Sequence, residues 1–326
     1  MNKPENVRLE VFKFNLSPRK SYKGTNSFRD LFLRKTDSQN DVKNPILFEN
    51  FYKYFVKSLD TEYKIVKNKA FTLINENKQT SFSAPKNIIY GVLEGGQLGE
   101  GKTGRELANK KNSKPLDGNV INDKYFFYIY SPLNDSHGYI MFQIYQQDNI
   151  RDEFLNFIFK EIFKTAEEYN MPDKDIYIPQ SIKDEFKSSA KIKELKFTET
   201  VLSTQIDDSA SFKSINEKYK IEVKITPIRG KVRLSFLSDV AKPFLEKTFN
   251  NIGLKNFDKK DVVLKNSNKK TATFEMDGSG DIMPRIYLNG KISISSFGVP
   301  DFKELKQYCD SILVDLISKK QKVKEV

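Results

Sequence analysis

The sequence predicts an α+β fold, in which helices pack on a mainly antiparallel, aromatic-rich sheet and a smaller β-rich domain follows. Two segments, Lys124–Ser131 and Gly138–Gln146, are apolar at nearly every position, and a short turn rich in turn-forming residues joins them. Strands of that composition are covered on both faces, so we expect them to be central. Helices with one apolar face, before and after the pair, supply the cover.

The N-terminal part contains an alternation of strands and amphipathic helices. Its other predicted strands are Arg8–Leu16, Tyr63–Ile74 and Asn87–Glu94. Its predicted helices are Ser27–Arg34, Pro45 to about Leu59, and Asn149 to about Tyr169. The last of these carries an apolar stripe that can cover one face of the aromatic strands.

The second half contains shorter strands and fewer helices. Met171–Pro179 is polar and holds two prolines, which indicates a domain boundary. We therefore expect domains at residues 1–172 and 180–320, with a frayed tail at 320–326. The predicted strands are Glu194–Leu202, Tyr219–Pro227, Val262–Lys265, Thr271–Met276, Arg285–Leu288 and Lys291–Ser296. The predicted helices are Ser181–Ser189, Lys242–Asn250 and Asp301–Lys319, the last of which closes the second domain.

The charge balance points to a nucleic-acid partner. Lys and Arg total 55 against 43 acidic residues, which gives a net charge of +12 over 326 residues. Such an excess favours phosphate backbones and other acidic surfaces. However, only nine of the 55 are Arg, the residue preferred for bidentate recognition. A genome rich in A·T codons also produces many Lys and Asn residues, so composition bias is the alternative explanation.

Location is predicted from what the sequence lacks. There is no run of eighteen apolar residues, and the first residues have no apolar segment typical of a secretory signal. A single cysteine, Cys309, cannot form an internal disulfide, which suits a reducing compartment. We expect a cytoplasmic protein without a membrane partner.

One segment matches a phosphate-binding motif. The glycine loop predicted at residues 95–104 has Gly96, Gly101, Lys102 and Thr103 in the register of a P-loop. There, backbone N–H groups and the lysine hold phosphates, while the hydroxyl binds Mg²⁺. Three features argue against this: no helix with an apolar face can form before Pro115, no strand end offers an acid for magnesium, and the next strands form an antiparallel hairpin. The alternative is a positively charged surface loop.

Basic residues cluster at two places that could touch a phosphate backbone. The first follows the opening strand, and the second comprises the glycine loop and the residues after it. The candidate contacts are Arg19, Lys20 and Lys23 in the first cluster, and Lys102, Thr103, Arg105, Lys110 and Lys111 in the second.

A metal-dependent nuclease is a further possibility. Glu222 and Lys224 form the Glu-x-Lys triplet of many such sites on a predicted strand, with Asp207 and Asp208 upstream. The same triplet recurs elsewhere in this highly charged chain, for example at Glu62/Lys64, Glu100/Lys102, Glu194/Lys196 and Glu304/Lys306, so it is close to background. Cross-strand pairing of Glu with Lys is the alternative interpretation.

The chain has one histidine and one cysteine, which excludes a zinc site built from those residue types. His137 lies in a predicted turn, and Cys309 falls on the apolar stripe of the last helix, where a thiol is inert. The leading hypothesis is therefore a basic nucleic-acid-binding protein, possibly within a larger complex. The alternatives are a phosphate-dependent enzyme or a nuclease, either requiring Mg²⁺, and a protein–protein adaptor.

Overall fold

The computed structural model describes residues 7–60, 62–73, 80–105, 111–145, 150–202, 218–227, 259–266, 271–275 and 283–324. The chain divides into two compact units. Unit 1 contains Met1–Tyr177 together with Ile286–Val326, and unit 2 contains Ile178–Arg285. Both units combine helices with antiparallel sheets, so the predicted α+β class is confirmed.

Unit 1 is built on a nine-stranded antiparallel sheet. Numbered in chain order, the strands of this unit are β1 Arg8–Pro18, β2 Lys64–Val66, β3 Lys69–Leu73, β4 Ser81–Ser83, β5 Ile88–Leu98, β6 Thr103–Arg105, β7 Ser113–Pro115, β8 Val120–Tyr130, β9 His137–Ile144, β10 Tyr169–Ile176 and β15 Ile286–Tyr287. The spatial order is β10-β1-β9-β8-β5-β3-β2, with β15 beside β1 and β4 beside β5. Strands β6 and β7 form a separate two-stranded sheet.

The aromatic strands β8 and β9 are covered on both faces, as the sequence predicts. The covering helices of unit 1 are α1 Phe28–Lys35, α2 Asn44–Asp60, α3 Arg151–Phe157, which continues as a π-helical turn Ile158–Ile162, and α5 Phe302–Lys324. On one face, the ring of Phe127 lies 5.5 Å from that of Phe154 in α3. On the other face, Phe126 stacks on Phe302 of α5 at 6.2 Å. Successive side chains of β8 thus pack against helices on opposite faces of the sheet.

The helix starts have ordinary local causes. Ser27 is extended and its hydroxyl accepts a hydrogen bond from the Asp30 N–H at 3.2 Å, which caps α1. Asp301 caps α5 in the same way, because its carboxylate accepts from the N–H groups of Lys303 and Glu304, both at 2.9 Å. Each such cap is worth about 1 kcal/mol. These caps fix where the covering helices begin.

Three predictions in unit 1, for a strand, a helix and a connector, differ from the structure. The predicted strand Tyr63–Ile74 is a hairpin, β2 and β3, whose turn holds Lys67 at φ 59°. The predicted helix from Asn149 to Tyr169 is shorter, because α3 and the π-helical turn end at Ile162. The polar segment Met171–Pro179, assigned as a connector, overlaps most of β10, which pairs with β1. Pro172 falls at the register shift of this edge strand, where the missing N–H costs no ladder hydrogen bond.

The last helix groups with unit 1, whereas the sequence assigned it to the second domain. Buried Leu305 and Cys309 lie on one face of α5, and the hydroxyl of Tyr128 in β8 donates to Asp310 at 2.8 Å. The helix also continues to Lys324, beyond the predicted start of a frayed tail. Among the described residues, no helix has both the length and the apolar character needed to cross a bilayer.

Unit 2 contains a four-stranded antiparallel sheet and helix α4 Gln180–Ser189. The sheet has the order β12-β11-β13-β14, where β11 is Lys191–Leu202, β12 Lys218–Ile225, β13 Lys259–Lys265 and β14 Thr271–Glu275. Its apolar face packs against Phe186 of α4. The predicted helix Lys242–Asn250 lies outside the described residues. The predicted strand Lys291–Ser296, which groups with unit 1, contributes to two isolated bridges instead of a regular strand.

Candidate nucleic-acid interface

The first glycines of the phosphate-binding pattern lie inside strand β5. Gly96 pairs with Ala70 of β3 and with Asn122 of β8. A Cβ added at Gly96 would lie 1.9 Å from the Ile121 carbonyl oxygen, and one at Gly95 would lie 2.6 Å from the Ala70 oxygen. Such distances are far below van der Waals contact. Glycine is therefore required here because neighbouring strands approach closely.

After β5 the chain makes a tight turn and then forms the separate two-stranded sheet of β6 and β7. The N–H of Gly99 donates to the Asn119 carbonyl at 2.9 Å, and the N–H of Leu116 donates to the Lys102 carbonyl at 2.9 Å. Beyond this turn, β6 and β7 pair antiparallel through Thr103–Arg105 and Ser113–Pro115. We call residues 99–105 and 111–119 the basic ribbon. It continues the β5–β8 hairpin past the end of the nine-stranded sheet.

This arrangement differs from a P-loop. Thr103 begins a strand, where a P-loop requires the first turn of a helix. The Gly101 N–H donates to the carboxylate of Asp117 at 2.7 Å, and the Lys102 N–H donates to the Gly99 carbonyl at 2.9 Å. The Lys102 ammonium group donates to the side-chain oxygen of Gln97. The donors that would hold a phosphate are thus engaged within the turn.

The basic ribbon presents its charged side chains to solvent. Both strands are exposed except at Gly104, so Arg105 and Lys114 are accessible, as is Lys111 beside them. Lys102 is half-buried, and Lys110 lies outside the described residues. Lys114 was not among the predicted contacts, although it lies opposite Gly104 in the ribbon. Only the hairpin register, which the sequence did not reveal, brings it beside Lys102.

The two faces of the basic ribbon differ in chemistry. Residues directly opposite one another share a face, so Thr103, Pro115, Arg105 and Ser113 lie together. The other face carries Gly104 and Lys114, and the alternation extends it to Lys102 and Leu116. The side chain of Leu116 reaches within 3.4 Å of a Cβ placed on Gly104, which supports this assignment. One face therefore has an arginine with two hydroxyls, and the other has two lysines.

The first basic cluster lies in a loop with an anchored backbone. The Arg19 N–H donates to the Glu168 carbonyl at 2.7 Å, and the Tyr22 N–H donates to the Arg19 carbonyl at 2.9 Å. The Tyr22 hydroxyl donates to Asp30, and burial together with this bond raises the pKa of Tyr22. The side chains of Lys20 and Lys23 remain exposed. The loop is a second cationic surface with a fixed base.

The two basic clusters lie at opposite ends of the sheet. The ribbon joins the start of β8 at Val120, whereas the first loop follows Pro18, beyond the level at which β8 ends. Ten residue steps along β8 span roughly 33 Å. The predicted contacts therefore do not form one site: Lys102, Thr103, Arg105 and Lys111 come together, and Lys20 and Lys23 stand apart.

The nuclease candidate lies on the polar face of the sheet in unit 2. Glu222 of β12 pairs with Lys196 at 2.7 Å, with Lys224 at 2.9 Å and with Lys220 at 3.7 Å. Hydrogen bonds from Lys196 and Lys224 lower the pKa of Glu222 to about 2. Among the described residues, no group of three acidic, His or Cys side chains could hold a metal. Asp207 and Asp208 lie outside those residues. The geometry around Glu222 is that of cross-strand ion pairing.

The single histidine and cysteine have structural surroundings. The carboxylate of Asp135 accepts hydrogen bonds from the N–H groups of Ser136 and His137, and lies 3.1 Å from the His137 ring nitrogen. These bonds close the turn between β8 and β9. Cys309 lies on the buried face of α5, and burial raises the pKa of its thiol. Neither residue is part of the basic ribbon.

Function is inferred here from the geometry of the described residues. No protein-family model, no curated protein and no solved structure matches the chain.

Proposed function

We propose that the protein binds nucleic acid through the basic ribbon. The observation that carries this proposal is the folding of the P-loop-like segment as an exposed two-stranded β-ribbon with Lys102, Arg105, Lys111 and Lys114 close together. Residues 99–105 and 111–119 contain these four cationic side chains and only two acidic ones, Glu100 and Asp117. Asp117 is itself bonded to the Gly101 N–H, which directs it into the turn.

Two further features support this assignment. The net charge of +12 raises the rate of encounter with polyanions. The ribbon strands are short, and their residues other than Gly104 are exposed, so their side chains are available for contact. The single buried cysteine is compatible with the cytoplasm, where we place the protein. Membership of a larger complex would add partners but is not required for this contact.

The test is fluorescence anisotropy of the purified full chain with labelled 20-bp DNA duplex and single-stranded DNA over a salt series. Phosphate contacts by Lys102, Lys111 and Lys114 predict a slope of about −2.7 in log affinity against log salt on duplex DNA. The double variant Lys111→Glu/Lys114→Glu should reduce that slope by about two units and weaken binding by tenfold or more at low salt. The unfolding midpoint should not change, because both side chains are exposed.

The matched control is Lys20→Glu/Lys23→Glu. It changes the net charge by the same amount, at the opposite end of the sheet and also on exposed side chains. It should weaken binding less than the ribbon variant. Equal losses in the two variants would show a diffuse charge effect and would refute the ribbon as the binding element. Absence of binding at low salt would refute nucleic-acid binding and leave the adaptor hypothesis.

A further inference from the structure

We infer that the ligand of the basic ribbon is B-form duplex DNA and that the ribbon enters its major groove, with Arg105 contacting guanine. This inference rests on the proposed function, because it names the substrate class for the same site. Three properties of the ribbon carry it: its dimensions, the chemistry of its two faces, and its lack of aromatic side chains.

The dimensions of the ribbon match the major groove. The groove of B-DNA is about 12 Å wide and 8.5 Å deep, and it admits a two-stranded β-ribbon. Strands β6 and β7 have three residues each. At about 3.3 Å per residue, each strand extends roughly 10 Å, which is comparable with the depth of the groove. The A-form groove of duplex RNA is too narrow and deep for side chains to read.

One face of the ribbon carries the groups that read base edges. Arg105 lies directly opposite Ser113, and Thr103 lies opposite Pro115. Arginine donates two hydrogen bonds to O6 and N7 of guanine, and hydroxyls donate or accept at other base edges. The paired residues of this face include no acid, and Asp117, which follows Pro115 on this face by alternation, has its carboxylate bonded to the Gly101 N–H. This set of side chains is suited to direct contact with base edges.

The other face supplies the cations for the backbone. Lys102 and Lys114 lie on it, and lysine binds phosphate as a flexible point charge. Lys114 is exposed, and Lys102 needs only to exchange its contact with Gln97 for a phosphate. Long lysine side chains can extend past the ribbon edge to the phosphates that border the groove. The ribbon thus separates base contacts from backbone contacts.

The composition of the segment argues against single-stranded ligands. Proteins that hold single strands stack bases on Phe, Tyr or Trp. Residues 99–119 contain none of these three types. Without a stacking surface, the ribbon holds a single strand only by charge, so a duplex that also offers base edges in its groove should bind more tightly.

The first experiment compares three probes of one mixed sequence: 20-bp duplex DNA, 20-bp duplex RNA and single-stranded DNA. Full-length protein should bind duplex DNA at least tenfold more tightly than either of the others at the same salt. Equal or tighter binding of duplex RNA or single-stranded DNA would overturn the inference while leaving nucleic-acid binding intact. No binding to any probe would instead refute the proposed function.

The second experiment removes the guanine acceptor. Replacing every guanine of the duplex by 7-deazaguanine deletes N7 from the major groove and leaves the minor groove and backbone unchanged. Wild-type affinity should fall about fivefold to tenfold, since one of the two hydrogen bonds of each bidentate contact is lost. In Arg105→Ala, which has no donor at this position, replacing guanine by 7-deazaguanine should change affinity less than twofold.

The outcomes separate cleanly. If wild type and Arg105→Ala lose affinity equally on 7-deazaguanine duplex, Arg105 does not contact guanine N7, and if wild type loses none, the ribbon does not contact guanine in the major groove. The Arg105→Ala variant should unfold at the same urea concentration as wild type, because Arg105 is exposed. Thr103→Val, on the same face, should leave the 7-deazaguanine response intact and serves as the control for local disturbance.

Discussion

Replacing Gly96 with alanine tests what the glycines of the pattern do. The added Cβ would lie 1.9 Å from the Ile121 carbonyl oxygen, where ordinary contact begins at 3.4 Å. That oxygen belongs to β8, and its neighbour Asn122 is the pairing partner of Gly96. The strands must therefore separate by more than an ångström at this point. A side chain cannot relieve the clash by rotating, because the contact is with backbone.

The expected cost follows from that geometry. Overpacking against backbone costs about 1–3 kcal/mol, and each strand hydrogen bond that lengthens costs about 1 kcal/mol more. Gly96→Ala should thus lower the free energy of unfolding by about 3 kcal/mol. For a unit of 150–250 residues this corresponds to a fall in Tm of about 6–12 °C. Urea denaturation followed by circular dichroism, together with a thermal scan, measures both quantities.

Gly101→Ala is the matched control within the same pattern. Gly101 has φ +70°, and nothing lies within 4 Å of an added Cβ, so the cost is only the left-handed strain of about 1–2 kcal/mol. Calorimetry with Mg·ATP should show no binding to wild type or to either variant. If Gly96→Ala is as stable as wild type, the strand-pairing explanation is wrong. If ATP binds and Lys102→Ala abolishes it, the phosphate-loop interpretation stands instead.

Two other predictions test the ion pairs and the aromatic core. The lowered pKa of Glu222 means that its carboxylate stabilises unit 2 above its unfolded pKa near 4.5, and that this contribution is lost as pH falls towards 2. Glu222→Gln should therefore flatten the pH dependence of the unfolding midpoint between about pH 4.5 and pH 2. Added Mg²⁺ should not shift the unfolding midpoint of wild type or of this variant. Phe32 is fully buried and stacks on Phe51 with centroids 3.5 Å apart, so Phe32→Ala should cost about 3–5 kcal/mol in urea denaturation. Phe297→Ala, at a side chain 80% exposed, should change stability by less than about 0.5 kcal/mol.

The sequence predicted correctly those elements whose burial is evident from their own pattern of apolar residues. Strand β8 is apolar at successive positions because Phe127 packs on α3 and Phe126 packs on α5. A strand with two buried faces needs that pattern wherever it occurs. Helix α5 has the converse signature, one apolar stripe with polar residues elsewhere, and its start was predicted to within one residue.

Strand β10 could not be predicted in the same way. Only Tyr169 and Pro172 are buried among its eight residues, so there is no alternation to detect, and the proline suggests a connector. Its extended conformation comes from pairing with β1, more than a hundred residues earlier. Propensity and periodicity describe a segment and its near neighbours, and they carry no information about such a partner.

The glycine pattern shows why the site was predicted only in part. Glycine lacks a Cβ, which suits both a backbone that wraps a phosphate and a strand that lies very close to its neighbour. Gly96 and Gly99 belong to the second case, since a Cβ at either would lie about 2 Å from a carbonyl oxygen. What distinguishes the two is the segment after Thr103. A P-loop needs a helix with an apolar face there, and the polar residues before Pro115 cannot provide one, so the same lysine and arginine residues are placed on a ribbon instead of around a nucleotide.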